Sequence, residues 1–120
     1  MKKPIRFALS SAGKAVLLMP LYLFALSANS ADQALIKKGR QIYEENCSAC
    51  HQADAIGKAG FAPSLTNPEF LSLSSDNFLR ANIVGGREGT GMPPFAHLVE
   101  HDVNAIIAYL RSFATLPDRS

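Results

Sequence analysis

Apolar residues fall into two patterns along this chain. Near the start they form a block: "AVLLMPLYLFAL", Ala15 to Leu26, is an apolar run of twelve with Pro20 inside it. Further on they recur at helical spacing. Leu35, Ile42 and Tyr43, with Gly39 between them, put an apolar stripe on a helix over "LIKKGRQIYEEN". In "SSDNFLRANIVGG", Ser75 stands where an N-cap belongs, Phe78, Leu79 and Ile83 follow at helical spacing, and Gly85–Gly86 end the pattern. In "HDVNAIIAYLRSF", Val103, Ile106, Ile107 and Leu110 make a third stripe, and Arg111 sits in the last turn, where a cation suits the helix dipole. No alternating segment of weight reads as a strand. The expected fold is a small all-α domain of three to five helices.

The apolar block has different surroundings. Lys2, Lys3, Arg6 and Lys14 give a basic opening, and small residues come after the block in "SANSADQ". Basic, apolar, then small is the order of a secretory signal peptide, with cleavage expected after Ser30 or Ala31. The competing reading is a membrane anchor, but the run is short of the ~20 residues a spanning helix needs and Pro20 interrupts it. Uncleaved, it would leave a short membrane tether. The expected organisation is a leader over 1–30, one domain over 32–115 and a short tail over 116–120.

Removing the leader reverses the charge. The whole chain carries +2, with a pI of about 8.7, but beyond residue 31 eight Lys and Arg face all ten Asp and Glu, a net −2. With no basic patch or stripe, nucleic acid is not an expected partner. About ninety residues bury only a modest core, so a disulfide, a metal or a bound cofactor would help the domain fold.

The candidate chemistry lies in "ENCSACHQ", residues 45–52, which holds both cysteines of the chain, Cys47 and Cys50, and His51 directly after them. A disulfide between the two would close a very small loop and stabilise little. A thioredoxin-type pair belongs at a strand–helix junction, whereas a helix precedes this motif. A zinc site needs further ligands, and no second cysteine pair exists. C-x-x-C-H is also the attachment signature of c-type haem. Two thiols on one side of a short turn can add across the two haem vinyl groups, and the next residue then presents its imidazole to the iron. Covalent attachment also suits an exported protein, which would lose a free cofactor by dilution.

A second iron ligand is sought in the same way. Met1 and Met19 leave with the leader, so Met92 is the one methionine of the exported chain. It sits in "GGREGTGMPPF", residues 85–95. Glycines there let backbone approach a flat cofactor closely, and Pro93 and Pro94 stiffen the far side of the loop. A thioether opposite His51 would raise the reduction potential, because soft sulfur favours ferrous iron. The plainer reading of Met92 is a flexible core filler. His97 and His101, four apart, are the competing ligands; their plainer reading is two polar surface residues.

With "CSACH" followed 41 residues later by "MPPF", the sequence resembles the class I cytochrome c family, in particular its small bacterial single-haem domains. The resemblance spans Ala34 to Phe113. It implies one haem c per chain, attached through Cys47 and Cys50 and ligated axially by His51 and Met92. It implies that the first and last helices cross tightly at Gly39, Tyr43 and Tyr109. It also implies that the Pro63 carbonyl accepts the ring N–H of His51, and that Leu65 packs on the haem. Phe61, Ile83 and Phe95 are candidate walls, and Arg80 and Arg87 candidate partners for a haem propionate. One departure is the start of the last helix: Val99 stands where such helices carry Ser, Thr or Asp, and Asp102 falls inside the first turn.

The function that the resemblance implies is single-electron transfer rather than catalysis. The chain is expected to be an exported bacterial carrier, periplasmic, meeting a donor and an acceptor transiently. Two alternatives stand beside it. One is a dedicated electron-accepting subunit of a dehydrogenase complex. The other is a haem enzyme or gas sensor with an open distal site, although no distal acid/base constellation is visible.

Overall fold

A computed structural model describes Pro4 and residues 19–114, with side chains, Pro4 apart, from residue 29 onward. Five helices succeed one another in chain order: α1 (Met19–Asn46), α2 (Ser48–His51), α3 (Pro68–Leu73), α4 (Asp76–Gly85) and α5 (Glu100–Phe113). The described residues contain no strand, and an antiparallel bridge joins Lys58 to Ala62. The fold is small and all-α, as the periodicity predicts.

The chain divides into two units, 1–31 and 32–120. The basic opening expected of a leader lies outside the described residues, as does the tail over 116–120. Helix α1 runs unbroken through Ser30 and Ala31, the expected cleavage points. No described helix is long and apolar enough to cross a membrane.

Within the second unit, α1 and α5 meet where Gly39 has no side chain. A Cβ on Gly39 would lie 1.8 Å from the Ala105 carbonyl oxygen, far inside contact distance, so only glycine lets the two backbones come this close. One turn further on, Tyr43 packs on Tyr109 with ring centroids 5.3 Å apart, and Tyr109 packs on Phe113 at 5.0 Å. Tyr43, Leu71, Val103 and Ile106 are the largest fully buried side chains. Each such apolar side chain adds roughly 1.5–3 kcal/mol through burial. Leu79 and Ile83 of α4 join them, whereas Phe78 is 43 % exposed. Adjacent helical residues point about 100° apart, and on α4 the inward face takes Leu79 and leaves Phe78 outside it.

Local signals set the helix ends. Asn67 accepts from the backbone N–H of Glu69 and Phe70, with Pro68 opening α3. Ser75 accepts from Phe78 N–H and starts α4. Val99 caps α5 with no side-chain hydrogen bond, as its residue type predicts. Arg111 ties three helices together. Its guanidinium donates to the carbonyls of Leu71 and Ser74 at the end of α3, and to the Asp76 carboxylate in the first turn of α4, with Nε–Oδ1 at 2.9 Å.

Candidate haem-binding site

Helix α1 delivers the motif. Cys47 comes directly after its last residue, and α2 is a single turn in which His51 N–H donates to Cys47 O at 3.0 Å. Both thiols are free and half-buried, on one short turn. Burial, with Cys50 close by, pushes the Cys47 thiol up to about 11. A redox-active C-x-x-C pair needs the opposite shift, toward thiolate.

The His51 ring is buried, and its Nδ1 lies 3.0 Å from Pro63 O. A carbonyl can only accept, so Nδ1 carries the proton and Nε2 keeps its lone pair for a metal. The loop over 52–66 is folded so that Pro63 can reach the ring. Gly57 N–H donates to His51 O at 2.9 Å, and Leu65 N–H donates to Ala55 O at 2.8 Å. A Cβ on Gly57, whose φ is +80°, would lie 2.5 Å from both Ala62 O and Pro63 O. Any side chain there would push the Pro63 carbonyl away from the imidazole.

Two non-glycine residues of this loop also have left-handed backbone, Gln52 (φ +69°, ψ 160°) and Ala55 (φ +59°). The Gln52 conformation belongs to a region essentially reserved for glycine, and holding it costs on the order of 1–3 kcal/mol. The sequence carries no sign of it.

Met92 lies on the other loop and is half-buried. Its carbonyl accepts from Arg87 N–H at 3.1 Å, and its own N–H donates to Thr90 Oγ1 at 3.2 Å. Phe95 N–H donates to Ile83 O, which anchors the loop to α4. Gly86 (φ +67°) lies against the backbone of Met92 to Pro94, leaving no space for a Cβ.

Two open recesses flank these loops. One, of about 580 Å³, is walled by residues 56–64, Phe61 and Pro63 among them. The other, of about 590 Å³, is walled by Gly85, Arg87, Glu88 and residues 90–94, Met92 among them. Leu65 is half-buried against the core, as is Phe95. Phe61 is 67 % exposed, so it walls a recess without being enclosed. His97 and His101 are exposed: His97 packs on Phe95, and His101 Nδ1 lies 3.1 Å from Lys38 Nζ.

The residues present fit a haem. Two half-buried thiols precede an imidazole whose Nδ1 is engaged by Pro63 O, which leaves Nε2 as the donor. A thioether stands on a separate loop. Arg80 Nη1 is buried with no hydrogen-bond partner among the described residues. A buried guanidinium N–H without an acceptor is costly, and a propionate carboxylate would satisfy it.

A thiol pair and an imidazole on one helical turn, within a small all-α fold, define a c-type cytochrome domain. The chain belongs to the family described as cytochrome C oxidase, cbb3-type, subunit III, whose pattern matches residues 34–110. It is 35 % identical over 104 residues to the cbb3-type cytochrome c oxidase subunit CcoP of Rubrivivax gelatinosus, covering 82 % of this chain and 34 % of that protein. It is 34 % identical over 95 residues to cytochrome c oxidase subunit 2 of Alkalihalophilus pseudofirmus, covering 70 % and 27 %. The chain thus spans about a third of the length of the curated relatives it matches. Among solved structures it is similar to the c-type cytochrome NirC, at 28 % identity and a TM-score of 0.50, covering 65 % of this chain and 86 % of that one. The cofactor is therefore covalently attached haem c, with its iron.

Proposed function

We propose that this chain is an exported single-electron carrier in which Cys47 and Cys50 would form the haem thioethers and His51 and Met92 would ligate the iron. The observation that carries this is the bond from His51 Nδ1–H to Pro63 O, which fixes the ring and leaves Nε2 as the donor. Haem c supplies a one-electron ferric/ferrous couple when bound. The protein's part is geometric and electrostatic. The Pro63 carbonyl fixes the imidazole and raises its basicity, Leu65 would pack on the haem, and Arg80 would offer its Nη1–H to a propionate. With His51 and Met92 both engaged by the iron, the chain would act on no substrate and would not be an enzyme. The leader directs it to the periplasm and is cleaved near residue 31, where the two units divide.

A second reading is favoured by the relatives, which are named as oxidase subunits: the same chemistry serving one complex as a bound subunit. Optical spectra test the ligand set. The holoprotein should be low-spin, show the ferric–thioether band and ignore carbon monoxide, and Met92→Ala should lose all three properties. A wild type that binds carbon monoxide would refute Met92 as a ligand and favour an open-site enzyme or sensor. Retention of the holoprotein on an oxidase complex through gel filtration would favour the subunit reading.

A further inference from the structure

Tyr43 has a second contact besides the crossing of α1 and α5. It is completely buried, and its hydroxyl donates to Gln52 O at 2.8 Å. Gln52 stands directly after His51 and holds its glycine-like backbone there. The same carbonyl accepts from Ala55 N–H at 3.1 Å. Ala55, itself left-handed and fully buried, passes the connection on to Leu65, two residues beyond Pro63. The strained turn is thus pinned from inside by its own backbone and from outside by one hydroxyl on α1. A phenylalanine ring would serve the helix crossing equally well. What the tyrosine adds is the bond to the turn.

We infer that the Tyr43 hydroxyl is a positioning group for His51: by holding the Gln52 carbonyl it maintains the left-handed turn that keeps Pro63 O on the imidazole N–H. This rests on the reading of His51 as an iron ligand. Removing the hydroxyl leaves the strain at Gln52 opposed by one hydrogen bond fewer, so the turn relaxes and the imidazole loosens. Removing the strain makes the hydroxyl unnecessary, because glycine adopts this backbone freely. The two residues are therefore coupled, which a purely structural tyrosine would not produce.

The test uses holoproteins of wild type, Tyr43→Phe, Tyr109→Phe and Tyr43→Phe/Gln52→Gly. Tyr109→Phe is the control, because it takes a hydroxyl from the neighbouring ring and leaves the turn untouched. Solvent exchange of the His51 ring N–H is followed by NMR in the ferrous state, together with the midpoint potential. In Tyr43→Phe the haem stays covalently bound and low-spin, exchange speeds up about tenfold, as loss of one hydrogen bond allows, and the potential moves. Tyr109→Phe stays within about twofold of wild type, and the double variant returns toward wild type. Exchange in Tyr43→Phe within about twofold of wild type would overturn the inference, as would an equal effect of Tyr109→Phe or no recovery by Gln52→Gly. If Tyr43→Phe accumulates only alongside Gln52→Gly, the inference stands. If it accumulates in neither background, the hydroxyl serves folding and the inference is overturned. A wild type in which His51 does not ligate iron refutes the ligand assignment itself, and this inference with it, before any variant is compared.

Discussion

The crossing of α1 and α5 and the loop over residues 52–66 sit side by side and solve opposite problems. At the crossing, regular helix buries regular helix: glycine admits the close approach and three aromatic rings fill the next turns. In the loop almost nothing is regular. Gln52 and Ala55 hold left-handed backbone that their side chains disfavour, Gly57 is jammed against two carbonyls, and the turns are held by a few hydrogen bonds each. The crossing contributes stability and has no chemistry. The loop costs stability and orients the imidazole. Strain is tolerated there because the neighbouring crossing is rigid enough to hold it.

The largest expected effect lies at the crossing. Gly39→Ala would set a methyl group into the Ala105 carbonyl, and backbone cannot swing aside as a side-chain tip can. We predict a loss of about 3 kcal/mol or more, a large part of the 5–15 kcal/mol typical of a domain. Thermal unfolding of the holoprotein checks this, and an unchanged midpoint would mean that the two helices are not in tight contact. Gly57→Ala is the matching change in the loop. It should cost less stability but shift the potential, because it displaces Pro63 O from His51. If it lowered the melting temperature as much as Gly39→Ala and left the potential alone, the division of labour between the two regions would fail.

Next comes the Arg111 clamp, which joins the α3–α4 corner to α5 through two carbonyls and one carboxylate. Arg111→Ala leaves those carbonyls without their donors, with an expected loss of about 1–3 kcal/mol. Arg111→Lys should recover only part of it, since an ammonium lacks the planar fork that spans several acceptors. Full recovery by lysine, measured by denaturant unfolding, would reduce the clamp to a simple charge effect.

The same contrast explains what is legible in the sequence. The three long helices are visible because burial imposes a period on them, and "CSACH" is visible because covalent chemistry imposes a spacing. Helix α3 is six residues long, too short for a period, although the Asn67–Pro68–Glu69 start is a sign of it. Periodicity alone puts Phe78 on the inward face of α4, wrongly, because neighbouring apolar residues leave the phase of a short stripe ambiguous. Arg111 reads as a helix-end cation, but its partners lie 35 to 40 residues away. The Pro63 partner of His51 comes from family resemblance alone. The turn at Gln52 has no local signature, because neighbours and not the residue's own preference hold it there.

The smallest expected effect concerns the rim of the crossing. Lys38 Nζ lies 2.6 Å from Asp102 Oδ1, and the lysine is 45 % exposed. The Lys38 ammonium, mainly through its hydrogen bond, holds the Asp102 carboxyl below its ordinary 3.8. A carboxyl whose folded value is depressed binds fewer protons than in the unfolded chain. Its contribution is therefore complete above pH 3.8 and fades as the pH falls through the lower folded value. Exposed pairs of this kind are screened by salt and add little. Lys38→Ala should therefore lower the melting temperature at neutral pH by less than Gly39→Ala, Gly57→Ala or Arg111→Ala, with the difference shrinking in high salt. Below the folded value of Asp102 it should vanish. A Lys38→Ala penalty that persisted in strong acid would mean that the lysine stem, packed along α5, matters more than its charge, and the rim would then belong to the crossing's packing.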